Sequence, residues 1–509
     1  MDKHTLCIHE KAYPISIVVA AIKKWKNYHL NKLTMKTFLF SAFALLSFQL
    51  AFTQINTKDS INGIWEMSGY GRIIEISDSE VNTYDITKIS CLLHSQYKRN
   101  EILHLGNVSL INKDSLHIKL GITNYYLHRI KEFPKEKLTT DSVQSKDLRL
   151  NFDVFWHTLN ENYAFFQERK LDWQGIYNQY KDKVSLIKSE LQLYEIFREI
   201  TDRLNDEHTS VRPAEEITAA YEKRMGTIEE DTADSAISIA ELEDNILKRY
   251  VANPFKYGRS LHGNGLLNYG MTKNNIGYIQ VNNMLFYADY KVSDNVSGYD
   301  YLFAYLKESR KNPSYQEDEV KGIKCLMDSI VDKFKNTDAI ILDLRFNYGG
   351  YDVVSLEILK HFINSKSMVF SKKARTYTGF TKPQAFFIEP SDKTSSKPLY
   401  ILTSRQTSSA PESLVMASMP FDNIKRIGSR TMGITSDVLE KKLPNGWDLY
   451  LSNEIQVNYK GECYERIGVP PDIEIKYPKD ENKFIRKLSI KLKDGDQAIE
   501  KVFKLVKNK

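Results

Sequence analysis

Alternation of apolar and polar residues marks the first structured segment of the chain. "GIWEMSGYGRIIEISDSEVNTYDI" (Gly63–Ile86) and "EILHLGNVSLINKDSLHIKLG" (Glu101–Gly121) switch character at every second position and are punctuated by Gly, Asp, Ser and Asn. That is the period of half-buried strands joined by turns, and it predicts a small antiparallel β domain over residues 57–135. Its histidines fall in different strands with no metal-ligand spacing. A polar linker follows (Lys135–Lys146), and the period then changes to three and four. "DLRLNFDVFWHTLNENYAFF", "DWQGIYNQYKDKVSLI" and "SELQLYEIFREITDRLND" each read as an amphipathic helix, the last with Ser189 as its N-cap. This helical domain, 146–212, ends in "LNDEHTSVRP", where Pro213 forbids continuation. Residues 213–264 are charged and weakly patterned, and read as a helical insertion.

From residue 265 to 509 the pattern becomes strand, turn, helix, repeated. "DAIILDLR" (Asp338–Arg345) and "KPLYILTS" (Lys397–Ser404) are near-continuous apolar runs, as expected of strands covered on both faces. The first leads through "FNYGGYD" into "VSLEILKHFINS", the second through "RQTSSA" into "PESLVMASM". Such repeats predict a parallel sheet with its functional groups beyond the carboxyl ends of the strands. The fold class expected is therefore multidomain α+β: a small antiparallel β domain, a helical domain and an α/β core.

Charge changes this picture at one end only. The chain carries a formal +6, of which residues 1–34 hold +4, so the remainder is close to neutral and gives no footprint for nucleic acid. "MKTFLFSAFALLSFQLAFTQ" (Met35–Gln54) has a lysine, an uncharged apolar run and then small and polar residues, the layout of a secretory signal peptide over 35–53. Residues 1–34 then read as an over-extended gene start or a long n-region, with a single membrane anchor as the other reading. The expected protein is exported, periplasmic or extracellular, with no stable membrane insertion after cleavage. Cys91, Cys325 and Cys463 make neither a disulfide framework nor a zinc pattern, and no P-loop or HExxH occurs; no metal or cofactor is expected.

Candidate chemistry sits at the two strand ends. A serine between a buried strand and a helix N-terminus is exposed in a crevice and feels the positive end of the helix dipole. A neighbouring turn with Gly349 and Gly350 offers backbone N–H donors to a reacting carbonyl. On pattern alone the same residues also read as a tight turn and helix caps. For a base, histidine placement leaves His208, after a helix end, and His262.

Read together, "AIILDLRFNYGG", "LYILTSRQTSSAPES", "RIGSRTMG" and "YERIGVPPDIEI", preceded by "LNDEHTS", resemble the tail-specific protease family: C-terminal processing proteases, the tricorn core and interphotoreceptor retinoid-binding protein. The resemblance spans about 300 residues, 146–212 and 265–508. It implies a ClpP/crotonase-like core and an enzyme, a serine-type peptidase acting on peptides or unfolded proteins as an endopeptidase or a carboxy-terminal processing peptidase. Ile434 stands where the processing proteases carry a lysine base, so the resemblance selects the tricorn-like Ser–His branch. It implies Ser409 as nucleophile, with Ser408 the runner-up, His208 as general base and Glu465 as orienting carboxylate. The oxyanion donors implied are Gly349, Gly350 and Ala410. Glu412 is expected to brace the turn. Glu207 stands where the family has a serine linking histidine to glutamate, and is expected to polarise His208 itself or to leave the relay to another group. The rival expectation is a non-catalytic peptide- or lipophile-binding protein on the same fold; an oligomer is compatible with either.

Overall fold

In the computed structural model, which describes residues 60–134, 137–138, 143–225, 237–261 and 265–508, the alternating segment forms one antiparallel sheet. The leader, the signal-like segment and His262 lie outside the described residues. Residues Ile61–Lys509 form one unit. The strands are β1 (Gly63–Met67), β2 (Arg72–Ile76), β3 (Glu80–Thr87), β4 (Ser90–Lys98), β5 (Asn107–Asn112), β6 (Ser115–Leu120), β7 (Thr123–Ile130) and the short β8 (Lys137–Leu138), in the order β5-β6-β7-β1-β2-β3-β4-β8. Alternate residues Trp65, Ile74, Ile76, Val81, Leu116, Ile118 and Leu127 make its apolar face. Burying each such side chain stabilises the sheet by about 1.5–3 kcal/mol.

Three helices follow: α1 (Leu148–Asn162), α2 (Trp173–Leu186) and α3 (Glu190–Leu204). Each starts on a side-chain cap, Asp147, Asp172 and Ser189, which accept backbone N–H groups of the first turn. Such caps contribute about 0.5–2 kcal/mol apiece. α3 stops at Asn205, whose φ of 49° is left-handed, and the chain turns through Asp206–His208 into β9 (Ser210–Arg212). α4 (Glu215–Met225) and α5 (Ile239–Tyr250) come next. The last part of the segment read as a helical insertion is instead a strand, β10 (Val251–Tyr257).

β10 is the outer strand of a seven-stranded sheet. With β11 (Leu267–Thr272), β12 (Ile276–Val281), β13 (Ala339–Asp343), β17 (Leu399–Thr403), β18 (Ile424–Gly428) and β22 (Ile473–Glu474) the order is β10-β11-β12-β13-β17-β18-β22. The expected parallel pairing runs from β12 to β22, while β10–β11–β12 is antiparallel, so the sheet is mixed. Both faces are covered. Ile340 and Leu342 face one apolar cluster, with α7 (Tyr315–Lys333), α8 (Asp352–Lys360) and α9 (Ala410–Ala417). Ala339 and Ile341 face another, with α5, α10 (Glu481–Leu492) and α11 (Gln497–Lys507). This explains the unbroken apolar run of β13. α6 (Gly298–Ser309) lies between β12 and α7 in the chain.

Two smaller sheets complete the core. β14 (Ser367–Thr376) pairs with β15 (Gly379–Phe380), β16 (Gln384–Ile388) and β21 (Glu454–Asn458). β19 (Val438–Lys442) pairs with β20 (Asp448–Ser452), and β20 pairs with β9, which ties the segment after His208 to the core. Among the described residues, no helix is long and apolar enough to cross a membrane.

Candidate active site

Ser409 stands between β17 and α9 with φ 65° and ψ −126°, a conformation that costs a non-glycine residue about 1–3 kcal/mol. Its surroundings enforce it. The Ser408 N–H donates to the Asn347 carbonyl (3.1 Å), and the Ser409 N–H donates to Glu412 Oε2 (3.0 Å). Glu412 is fully buried, and its two oxygens also accept from Thr431 Oγ1 (2.5 Å), the Gly433 N–H (2.7 Å) and the Ile434 N–H (2.9 Å). Burial raises its pKa, against the pull of these donors. Glu412 thus joins the serine turn to the "TMGI" loop, and Ile434 contributes only a backbone N–H. Ser408 is buried behind the turn, whereas Ser409 is partly exposed.

The glycine turn lies against this serine. A Cβ on Gly349 would sit 3.1 Å from Ser409 Cβ, and one on Gly350 would run into the Met284 backbone. Their φ values of 128° and 138° exclude other residues on a second ground. The expected donors divide here. The Gly349 N–H donates to Asn347 Oδ1 (3.0 Å), while among the described residues no acceptor takes the N–H of Gly350 or of Ala410.

His208 and Ser409 line one cavity of about 400 Å³ together with Gly350. No hydrogen bond joins the two side chains among the described residues. His208 Nδ1 lies 2.8 Å from the Ser436 carbonyl, and the His208 N–H donates to Asp206 Oδ1 (3.0 Å). Glu207, expected beside the histidine, points elsewhere: it is exposed and makes no hydrogen bond or ion pair among the described residues. The Thr209 N–H donates to the Asp206 carbonyl (2.9 Å), closing a tight turn in which Asp206 is buried and Glu207 is exposed.

Glu465 is 7% exposed and accepts from the Thr435 N–H (2.8 Å) and Thr435 Oγ1 (3.1 Å). It does not reach His208. Its other oxygen lies 3.2 Å from Arg169 Nη2, which stands 3.6 Å from Asp206 Oδ2. Asp206 also accepts from Tyr163 Oη (2.9 Å) and Ser452 Oγ (3.2 Å). Arg169 further donates to the Leu204 carbonyl at the end of α3 (2.8 Å). The link from glutamate to histidine therefore runs through Arg169 and Asp206 to the histidine's backbone. Burial, then the Asp206 charge, pushes the Glu465 pKa up to about 8, with the Thr435 N–H and Arg169 acting in the opposite direction.

One buried cation lies beside the cavity. Lys372 Nζ sits between Asp352 Oδ2 (3.0 Å) and Asp437 Oδ2 (2.9 Å), two residues of the cavity wall. Burial works against the ammonium, but Asp437 and Asp352 more than reverse it, and its pKa lies well above the ordinary lysine value. A lysine so held is no proton acceptor at neutral pH, so it does not replace the base missing at Ile434. Asp206, Arg169, Lys372 and the Ser436 carbonyl were not found from sequence. Asp206 had a signal, its place two residues before His208; a carbonyl has none. Among the described residues, no group of His, Cys, Asp and Glu could hold a metal ion.

Residues 275–475 match the model of peptidase family S41, and residues 145–202 match that of the tricorn protease C1 domain. No curated protein matches the chain. Among solved structures, a candidate peptidase from Parabacteroides merdae shares the fold at 21% identity and a TM-score of 0.51, over 71% of this chain and 97% of that one. Mature CPAF (12% identity, TM-score 0.46, 70% of this chain and 99% of that) and the photosystem II D1 C-terminal processing protease (14%, 0.39, 69% and 98%) are more distant. The resemblance drawn from the motifs holds: this chain is similar to family S41 peptidases over residues 275–475 and to the tricorn protease C1 domain over residues 145–202.

Proposed function

We propose that the chain is an exported serine peptidase that hydrolyses peptide bonds in peptides or unfolded proteins, with Ser409 as nucleophile and His208 as general base. The observation that carries this reading is a serine held at φ 65° on a strand-to-helix turn, in one cavity with a histidine and with Gly350, whose N–H has no acceptor among the described residues. The Ser436 carbonyl can only accept, so His208 carries its proton on Nδ1 and leaves Nε2 free to take the Ser409 proton. Ser409 Oγ then bonds to the peptide carbonyl carbon, and the oxygen's charge is met by the N–H groups of Gly350 and Ala410. On collapse, His208 returns the proton to the leaving amine, and water releases the acyl group by the same route. Glu465 acts in this scheme as a positioning residue, through Arg169 and Asp206. Export rests on the signal-like segment Met35–Gln54.

The test compares cleavage of an unfolded protein by the full chain and by Ser409→Ala, each with and without a chelator. Activity that vanishes with Ser409 and ignores the chelator supports the proposal. Equal cleavage by both forms would rule out Ser409, and no cleavage by either would favour a binding protein on this fold.

A further inference from the structure

The cavity that holds Ser409 and His208 has a wall that comes from neither the helical block nor the α/β core. Leu120, Gly121, Ile122, Thr123 and Tyr125, the end of β6, its turn and the start of β7, line it from the N-terminal sheet. The turn is a tight one. Leu120 pairs with Thr123, only Gly121 and Ile122 lie between them, and Gly121 alone has positive φ (58°), which fits a type II′ hairpin.

This turn is seated rather than free to swing. Asn124 receives the Gln384 Nε2 on its carbonyl (2.9 Å) and donates its N–H and Nδ2 to Gln384 Oε1 (3.0 Å each). Ile122 packs on the main apolar cluster of the core, as do Tyr351 and Val353. Gly121 lies so close to Gln316 that a side chain there would meet it. Farther along the same interface, Asn453 Nδ2 donates to the Gly69 carbonyl (2.7 Å) and Tyr70 Oη to Glu454 Oε1 (2.5 Å).

Wall chemistry names the occupant. Leu120, Ile122, Val353 and Val438 supply the cavity's aliphatic lining. Of the charged residues on the wall, Asp352 and Asp437 are both tied to Lys372, and Arg310 and Glu440 carry opposite charges. We propose that the β6–β7 turn is part of the substrate site, and that Ile122, with Leu120, determines specificity by forming a subsite for an apolar side chain next to the scissile bond. The inference rests on the peptidase reading of the cavity and makes the N-terminal sheet a component of the site.

The test uses peptide series in which leucine, serine or lysine is placed in turn at each position flanking the scissile bond. Cleavage by the full chain and by Ile122→Ala gives kcat/KM. Equilibrium binding to Ser409→Ala and to the double variant Ser409→Ala/Ile122→Ala gives the same selectivity without turnover. The expected result is a leucine preference of about tenfold or more at one position, lost in both formats on shortening Ile122 and largely kept in Ile122→Val. An unchanged leucine-to-serine ratio overturns the proposal. A uniform loss for every peptide also overturns it, since Ile122 would then only support the fold. So does failure of every peptide to bind. Selective binding that follows Ile122 in a chain that cleaves nothing would support the subsite and sink the peptidase reading alone.

Discussion

His208 Nδ1 lies 2.8 Å from the carbonyl oxygen of Ser436, on the loop between β18 and β19. A backbone acceptor thus does here what a side-chain carboxylate does in the familiar Ser–His–Asp arrangement: it fixes the ring and its tautomer. The histidine's neighbours in sequence then have unequal roles. His208→Gln is expected to lower kcat by about 10⁴-fold or more. Glu207→Ala, at an exposed position without a hydrogen bond or ion pair among the described residues, is expected to stay within about twofold of the parent. Steady-state hydrolysis of one peptide by the three proteins decides the matter; a large loss in Glu207→Ala would return the polarising role to that glutamate.

The glycine pair supports a second prediction. Asn347 Oδ1 already holds the Gly349 N–H, which leaves Gly350 and Ala410 as the donors available to an oxyanion. Gly350→Ala, which strains a φ of 138° and presses on Met284, is expected to cost about 10²–10³-fold in kcat with a much smaller change in KM. Kinetics at saturating and limiting substrate separate these terms, while the melting temperature reports any general damage. A loss confined to KM would mean that the turn binds substrate without meeting the developing charge.

Arg345 gives a prediction about the scaffold. It is fully buried at the end of β13 and bridges Asp343 Oδ2 and Asp496 Oδ2, each at 2.6 Å. Arg345→Met leaves two buried carboxylates without their counter-charge, at an expected cost of about 3–5 kcal/mol. The triple variant with Asp343→Asn and Asp496→Asn removes those charges as well and is expected to recover much of the loss. Urea unfolding midpoints for the parent and both variants test this, and a triple variant no better than the single one would refute it.

How far the chain could be read in advance depends on what kind of signal each feature leaves. β13 and β17 were legible because strands covered on both faces need unbroken apolar runs, and their ends placed Ser409 and the glycine pair correctly at one crevice. β10 was not: "VANPFKY" is an outer strand with a register shift between Ala252 and Phe255 and a proline inside, so neither period nor composition marks it. The antiparallel flank of the core sheet was missed with it. In the scaffold, Asp343 and Arg345 are two residues apart at one strand end. Asp496, their third member, is far away in sequence and only the packing of α11 delivers it. The same holds for Arg169 between Asp206 and Glu465, and for the β6–β7 turn at the cavity. Each depends on how one block docks on another, which leaves no periodicity behind.

Glu465 carries the pH dependence expected of the fold. Burial, reinforced by Asp206, lifts its pKa from the ordinary 4.5 to about 8, so the folded chain binds this proton more tightly than the unfolded chain. Between those two values the unfolded state has released a proton that the folded state still holds. Stability from this group is therefore fully present below about pH 4.5, falls as pH rises, and is gone once pH passes about 8. Glu465→Gln keeps an acceptor for Thr435 and has no proton to lose, so its melting temperature is expected to fall less steeply across that window and to exceed the parent's at the alkaline end. Removing a carboxylate from Arg169 works the other way, which limits the gain. Melting curves of both proteins in a pH series, at fixed ionic strength, provide the measurement. Parallel slopes across the window would mean that Glu465 is ionised throughout and that Arg169, not burial, governs it.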